Sequence, residues 1–89
     1  MRKRGRVDKT QADIVMALRA AGAKVAILSN VGGGIPDLAV CFNSRLIFVE
    51  CKSKGGRMTE EEQEFYNQWQ DCTVVVYSAE EALEVIGRL

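Results

Sequence analysis

Between residues 9 and 22 the apolar side chains Ile14, Val15, Leu18 and Ala21 return at helical spacing, and Gly22 is a natural stop, so this stretch predicts a helix. Residues 24–28, KVAIL, form a short apolar run suited to a strand. Residues 29–36, SNVGGGIP, predict a loop, because three glycines and a proline do not sit inside a regular element. Residues 37–42 (DLAVCF) and 46–52 (LIFVECK) are apolar on both faces and read as buried central strands, with Asn43-Ser44 as a tight turn between them. Thr59-Glu-Glu-Glu has the capping-box pattern, Thr59 at N-cap and Glu62 at N3, and opens a helix that ends near Gln70. Residues 73–77, TVVVY, predict a strand by β-branched content. Ser78-Ala-Glu-Glu then opens a last helix with Ala82, Leu83 and Ile86 facing inward. The order is helix, three strands, helix, strand, helix. There is no internal repeat or linker, so the reading is one mixed α/β domain over residues 1–89, with residues 1–7 as a basic arm.

Composition narrows the function classes. The chain has 89 residues, 47% hydrophobic and 27% charged, a globular balance with a modest core that a partner subunit could extend. No apolar run approaches the roughly 20 residues of a bilayer span, and the basic N-terminal sequence lacks the apolar stretch of a secretory signal. The expectation is a soluble cytoplasmic protein without a membrane partner. Three cysteines with no CxxC spacing argue against a disulfide framework and a structural zinc site. The chain has no histidine, which excludes Ser-His and Cys-His nucleophilic machinery and HExxH metalloproteases. Hydrolysis would have to rest on carboxylates, lysines and a hard metal. The net charge of zero is divided: residues 1–57 carry 11 Lys/Arg against 4 Asp/Glu, residues 58–89 carry 1 against 8. A neutral chain so divided can still present a basic surface to a polyanion. The acidic run of Glu60, Glu61, Glu62 and Glu64 reads as the solvated face of a helix.

Folding the hairpin on paper brings the chemistry together. With Asn43 and Ser44 as a two-residue turn, Phe42 faces Arg45, and counting back sets Asp37 opposite Glu50. Opposed residues share a sheet face with Cβ atoms about 5 Å apart, so the two carboxylates repel unless something cationic lies between them. Glu50 and Lys52, two apart, project from that same face, whereas Cys51 points to the core. A carboxylate pair suits Mg²⁺, and a lysine beside it can orient or help deprotonate water and offset phosphate charge. Alone, an E-x-K pair is more often a surface salt bridge. The opposed Asp37 after a glycine-rich loop sets this one apart.

Gly34-Ile35-Pro36-Asp37, twelve intervening residues, then Glu50-Cys51-Lys52 resembles the PD-(D/E)xK nuclease signature. More narrowly, the chain is similar to the VRR-NUC (virus-type replication-repair nuclease) family in its stand-alone phage form. That likeness runs through Leu18-Arg19-Ala20-Ala21-Gly22, GIPDLAV, LIFVECKSK, Gly55-Gly56-Arg57 and residues 59–69. The resemblance implies an α/β, restriction-endonuclease-like αβββαβ core with a C-terminal helix, a mixed sheet flanked by helices. It also implies hydrolysis of DNA phosphodiesters with Mg²⁺, or Mn²⁺ as substitute. Asp37, Glu50 and the backbone carbonyl of Cys51 match the family's metal ligands, and Lys52 matches its catalytic lysine. Gln63 matches a glutamine on the helix after the ExK strand. An exposed polar position on that helix is an equal reading for Gln63.

One position departs from the pattern. Related nucleases, archaeal Holliday-junction resolvases among them, commonly carry a metal-holding glutamate on the first helix, where this chain has Gln11. A glutamine carbonyl ligates more weakly, which leaves one metal or two open; Asp13 faces elsewhere on the helix, and Asp8 could share the face. Lys54 and Arg57 could contact the strand being cut. Arg2, Lys3, Arg4 and Arg6 read equally as an arm on DNA phosphates or as a solubilising terminus. Gly32-Gly33-Gly34 lacks the GK[ST] of a phosphate loop. Phe65 and Trp69, at core spacing, read as core rather than as base-stacking platforms.

The expectation is a structure-selective DNA endonuclease, phage-encoded and acting in the host cytoplasm, a homodimer that cuts branched DNA such as Holliday junctions. One rival is a DNA-binding module with weak or no catalysis, which Gln11 favours and the intact Asp37, Glu50 and Lys52 oppose. Another is a nicking or single-strand nuclease of phage DNA replication or packaging.

Overall fold

A computed structural model describes residues 6–89, with side chains from Lys9 onward. Helix α1 (Arg6–Ala20) leads into strand β1 (Lys24–Ile27), and the hairpin β2 (Leu38–Phe42) and β3 (Arg45–Cys51) follows. Helix α2 (Glu60–Gln68), a 3-10 turn (Gln70–Cys72), strand β4 (Thr73–Val76) and helix α3 (Ala79–Gly87) complete the chain. The observed fold is therefore a small α/β unit with a four-stranded mixed sheet, in the element order expected. Residues 6 and 7, expected in the basic arm, belong to α1. Arg4 lies outside the described residues, as do the side chains of Arg6 and Asp8.

The sheet order is β1-β2-β3-β4, with the first two pairings antiparallel and β3-β4 parallel. Phe42 pairs with Arg45 and Leu38 with Val49, which is the register the two-residue turn dictates. Asn43 and Ser44 both have positive φ (54° and 65°), the backbone of a type I′ turn, whose twist matches that of the strands it joins.

One face of the sheet is the core. Leu38, Val40, Ile47, Val49, Cys51 and Val76 meet Ile14, Val15 and Leu18 of α1 and Ala82 and Ile86 of α3. The other face carries Phe48, Glu50 and Lys52, and α2 covers it only in part. Phe65 and Trp69 are not core residues, contrary to expectation: α2 buries none of its side chains. The two rings stack on each other (centroids 5.3 Å, 4° apart) and meet Phe48 edge-on, leaving Trp69 44% exposed. Leu83 is likewise turned to solvent, because Ala82 and Ile86, one turn apart, define the buried stripe of α3 and Leu83 lies about 100° from Ala82. Ala21 falls past the end of α1 and is exposed. Strand β1 is a largely exposed edge. Among the described residues no helix is long and apolar enough to cross a membrane.

Candidate active site

Asp37 sits one residue before β2, at the end of the sheet where β1 ends. Its backbone carbonyl accepts from Leu28 N–H (2.7 Å), so it faces β1, away from β3. In the antiparallel ladder this makes Asp37 and Glu50 a non-hydrogen-bonded pair, the kind whose side chains lie closest. The Asp37 carboxylate is also fixed from the β3 side: its Oδ2 accepts from Cys51 N–H at 2.9 Å. The same register sets Pro36 opposite Cys51. Proline has no N–H, so the ladder offers the Cys51 carbonyl no donor. Because a residue's N–H and C=O point the same way in extended backbone, that carbonyl is directed to the Asp37 side.

Glu50 is 4% exposed although it lies on the less covered face. Lys52 Nζ stands 3.4 Å from its Oε2 and 2.8 Å from Glu62 Oε1. That Glu62 oxygen also accepts from Thr59 N–H (2.9 Å), while Glu62 N–H donates to the Thr59 hydroxyl (3.1 Å), completing the capping box. The N3 side chain, bent back to cap α2, is thereby aimed at Lys52. Glu62, read from sequence as a solvated residue, belongs to the site. The signal for it was the capping box itself, because a capping N3 side chain points back over the helix start and not outward.

Three carboxylates and one ammonium converge here, a formal charge of −2 when all are ionised. Burial, then the charges of Asp37 and Glu62, push the Glu50 carboxyl up to about 7. Burial likewise holds Asp37 above the usual carboxylate range, against the opposing pull of the Cys51 N–H and Lys52. For Lys52, burial disfavours the ammonium, but the hydrogen bond to Glu62 and the charges of Glu50 and Glu62 outweigh it and raise its affinity for the proton. Lys52 is thus held as an ammonium by the carboxylates beside it. Glu62 is penalised by burial, yet Lys52 and the Thr59 N–H hold it below its ordinary value. Burial, then Asp37 and Glu50, drive the Cys51 thiol strongly upward, so its sulfur stays neutral and packed in the core.

Set beside protein-family models, curated proteins and solved structures, the chain matches none. The reading of this site therefore rests on its own geometry.

The other sequence-derived candidates divide. Gln63 is exposed and its Nε2 donates to Asn67 Oδ1 (2.9 Å), one turn along α2. Gln11 is half-buried on α1 and its Oε1 accepts from the hydroxyl of Ser29 (3.0 Å), which follows the Leu28 bonded to the Asp37 carbonyl. Asp13 is spent in a surface pair with Lys9 (3.1 Å). Lys54 and Arg57 are exposed just beyond β3, in and after a turn closed by Gly56 N–H to Ser53 C=O (2.8 Å). The glycine loop has a structural duty at Gly34. With φ +82° it lies against the first turn of α2, and a Cβ there would be driven into the Glu61 carbonyl. Loop and helix start are thereby held together beside the site.

Among the described residues no three or more His, Cys, Asp or Glu side chains are arranged to hold a metal ion. The donor set on offer is two carboxylates and one peptide carbonyl. All three are oxygens, the carboxylates carry uncompensated charge, and the carbonyl lacks a ladder donor; that chemistry fits a hard divalent cation that keeps several waters.

Proposed function

We propose that this chain is a metal-dependent endodeoxyribonuclease of the PD-(D/E)xK type, with the restriction-endonuclease-like core its element order suggests, akin to the stand-alone virus-type replication-repair nucleases. The observation that carries the reading is the convergence of Asp37, Glu50, Glu62 and Lys52 with a residual formal charge of −2. Glu50 is buried and the other three are partly so, and a cluster that reaches that charge as Glu50 ionises calls for a cation beyond Lys52. Asp37, Glu50 and the Cys51 carbonyl would hold Mg²⁺, with Mn²⁺ as substitute. When bound, such an ion polarises a phosphoryl oxygen and lowers the pKa of its water. The chain's own residues do the rest. Cys51 N–H fixes the angle of the Asp37 carboxylate. Lys52, held protonated, offsets negative charge as it grows on the phosphoryl oxygens. Glu62 keeps the Lys52 stem from swinging to solvent, which makes it a positioning residue.

The substrate we infer is branched DNA such as a four-way junction, met by a homodimer whose two-fold would suit paired cuts. Exposed apolar surface on the sheet face away from α1 and α3 supports a partner subunit: Leu46 is 60% exposed and Trp69 44%. The test is incubation of the purified protein with an end-labelled four-way junction and with a matched linear duplex, each in Mg²⁺, Mn²⁺ or EDTA. Cutting in either metal and none in EDTA, faster on the junction, is the expected result. Cutting of both DNAs at equal rates would retain the nuclease and overturn the structure selectivity. Binding without cutting in either metal would overturn catalysis and leave a DNA-binding module.

A further inference from the structure

Beyond the ends of β3 and β4 lies an open recess of about 670 Å³, within the range of small-molecule sites and ample for one nucleotide. Its walls come from two elements that the parallel β3-β4 pairing brings side by side. From the β3 end come Lys54 and Arg57, with Gly55 and Gly56 between them; from the β4 end comes Tyr77. The register pairs Cys51 with Val76, and Lys52 N–H donates to the Val76 carbonyl (3.0 Å). One step further along the chain, just past the end of β4, Tyr77 follows Val76 beside the Lys52 backbone. The lining, to which the start of α3 adds Ser78 and Glu81, therefore begins two residues past Lys52 in the chain.

Its chemistry is matched to a nucleotide. Tyr77 is 43% exposed and among the described residues its ring meets no other aromatic, so part of it is open to solvent. Lys54 and Arg57 are exposed, and neither is paired with a carboxylate among the described residues. Gly55, at φ +81°, carries the turn without a side chain that would fill the space between them. The one acid in the wall, Glu81, is exposed, and its Oε1 accepts from Tyr77 N–H (2.7 Å). An aromatic face for a base beside two free cations for phosphates is how sequence-tolerant single-strand sites are built.

We propose that this recess is a nucleotide subsite that takes one unpaired nucleotide next to the scissile phosphate, the base stacked on Tyr77 and the flanking phosphates on Lys54 and Arg57. The enzyme would then favour DNA with an unpaired nucleotide at the cut, as at a branch point or flap, over continuous duplex. This rests on the nuclease reading and deepens it.

Fluorescence anisotropy separates the two. The full chain is titrated, with Ca²⁺ in place of Mg²⁺, against a labelled duplex carrying a single-stranded flap and against the same duplex without one. Tyr77→Ala should weaken flap binding by about 5- to 100-fold, leaving the continuous duplex within about twofold. Tyr77→Phe should bind as the wild type, and Tyr77→Leu, apolar but without a ring, should behave as Tyr77→Ala even if truncation to alanine disturbs the fold. Arg57→Ala should lower the salt dependence of binding to both DNAs by about one phosphate contact. Flap binding retained by both Tyr77→Ala and Tyr77→Leu, or lost in step with duplex binding, overturns the subsite. A wild-type chain that binds neither DNA overturns the nuclease reading instead.

Discussion

At the level of single side chains, the site turns on which residues of α2 face Lys52. Gln63 was the candidate by resemblance, but Glu62 is the residue that arrives, because its capping bond to Thr59 bends it back toward β3. Gln63→Ala should therefore keep kcat/KM within about twofold, whereas Glu62→Ala should lower it by about tenfold or more. Glu62→Gln separates positioning from capping, since glutamine also caps. Losing the carboxylate charge should move the alkaline limb of the pH–rate profile to lower pH, as Lys52 gives up its proton more readily. An unmoved limb would mean that Glu62 serves only its helix.

Glu50 gives a second expectation at this scale. In the folded chain it keeps its proton up to about pH 7, whereas in an unfolded chain it would lose it near 4.5. Between those values the native state binds more protons, so stability falls as pH rises through that window. Asp37, also raised, acts in the same direction. Glu62 acts oppositely, but its contribution is lost only as pH falls through a value below 4.5. Thermal melts in EDTA should therefore show a Tm several degrees lower at pH 8 than at pH 5. Mg²⁺ or Mn²⁺ at pH 8 should recover it by binding the native state alone. A Tm that rises from pH 5 to pH 8 in EDTA would contradict the burial of these carboxylates.

Among the elements, the β2-β3 hairpin was the most legible part of the sequence. A two-residue turn leaves one register, that register sets Asp37 by Glu50, and both strands are apolar enough to be central. The Thr59 capping box set the start of α2, and the Ser78 N-cap that of α3, for the same local reason. The placement of α2 was not legible, because Phe65 and Trp69 show at i, i+4 only that one face is aromatic, not that it would rest on the single ring of Phe48. Nor could the sequence reveal that the glycine loop touches this helix. Gly34 is where they meet, and Gly34→Ala must strain a left-handed backbone and displace the Glu61 carbonyl. We expect a loss of about 2–4 kcal/mol in urea unfolding, with nuclease activity lost alongside as Glu62 moves off Lys52. Gly33→Ala, with open space around it, should cost about 1 kcal/mol. Equal effects at the two positions would show that the close approach is not what matters.

For the molecule as a whole, one sheet face is sealed by α1 and α3 while the other holds the site and an incomplete cover. Leu46 and Trp69 leave apolar surface there that a small domain gains by covering with a second copy. Light scattering after size-exclusion chromatography should give twice the chain mass at micromolar concentration, and Leu46→Glu should halve it without changing the melting cooperativity. A monomer at every concentration would remove the paired-cut reading while leaving the single site intact. The charge division along the chain bears on the same scale. The acidic first turn of α2 borders the site, with Glu60 and Glu61 exposed, so on the proposed function DNA would be gathered by Lys54, Arg57 and a bound cation.

The most direct test of the central claim is the initial rate of Mg²⁺-dependent cleavage of a four-way junction by Lys52→Ala beside the wild type, with both proteins shown to melt cooperatively. If Asp37, Glu50 and Lys52 form the catalytic centre, the wild type cuts and the variant falls by about 100-fold or more while still binding the junction. A variant that cuts at the wild-type rate would place the chemistry elsewhere.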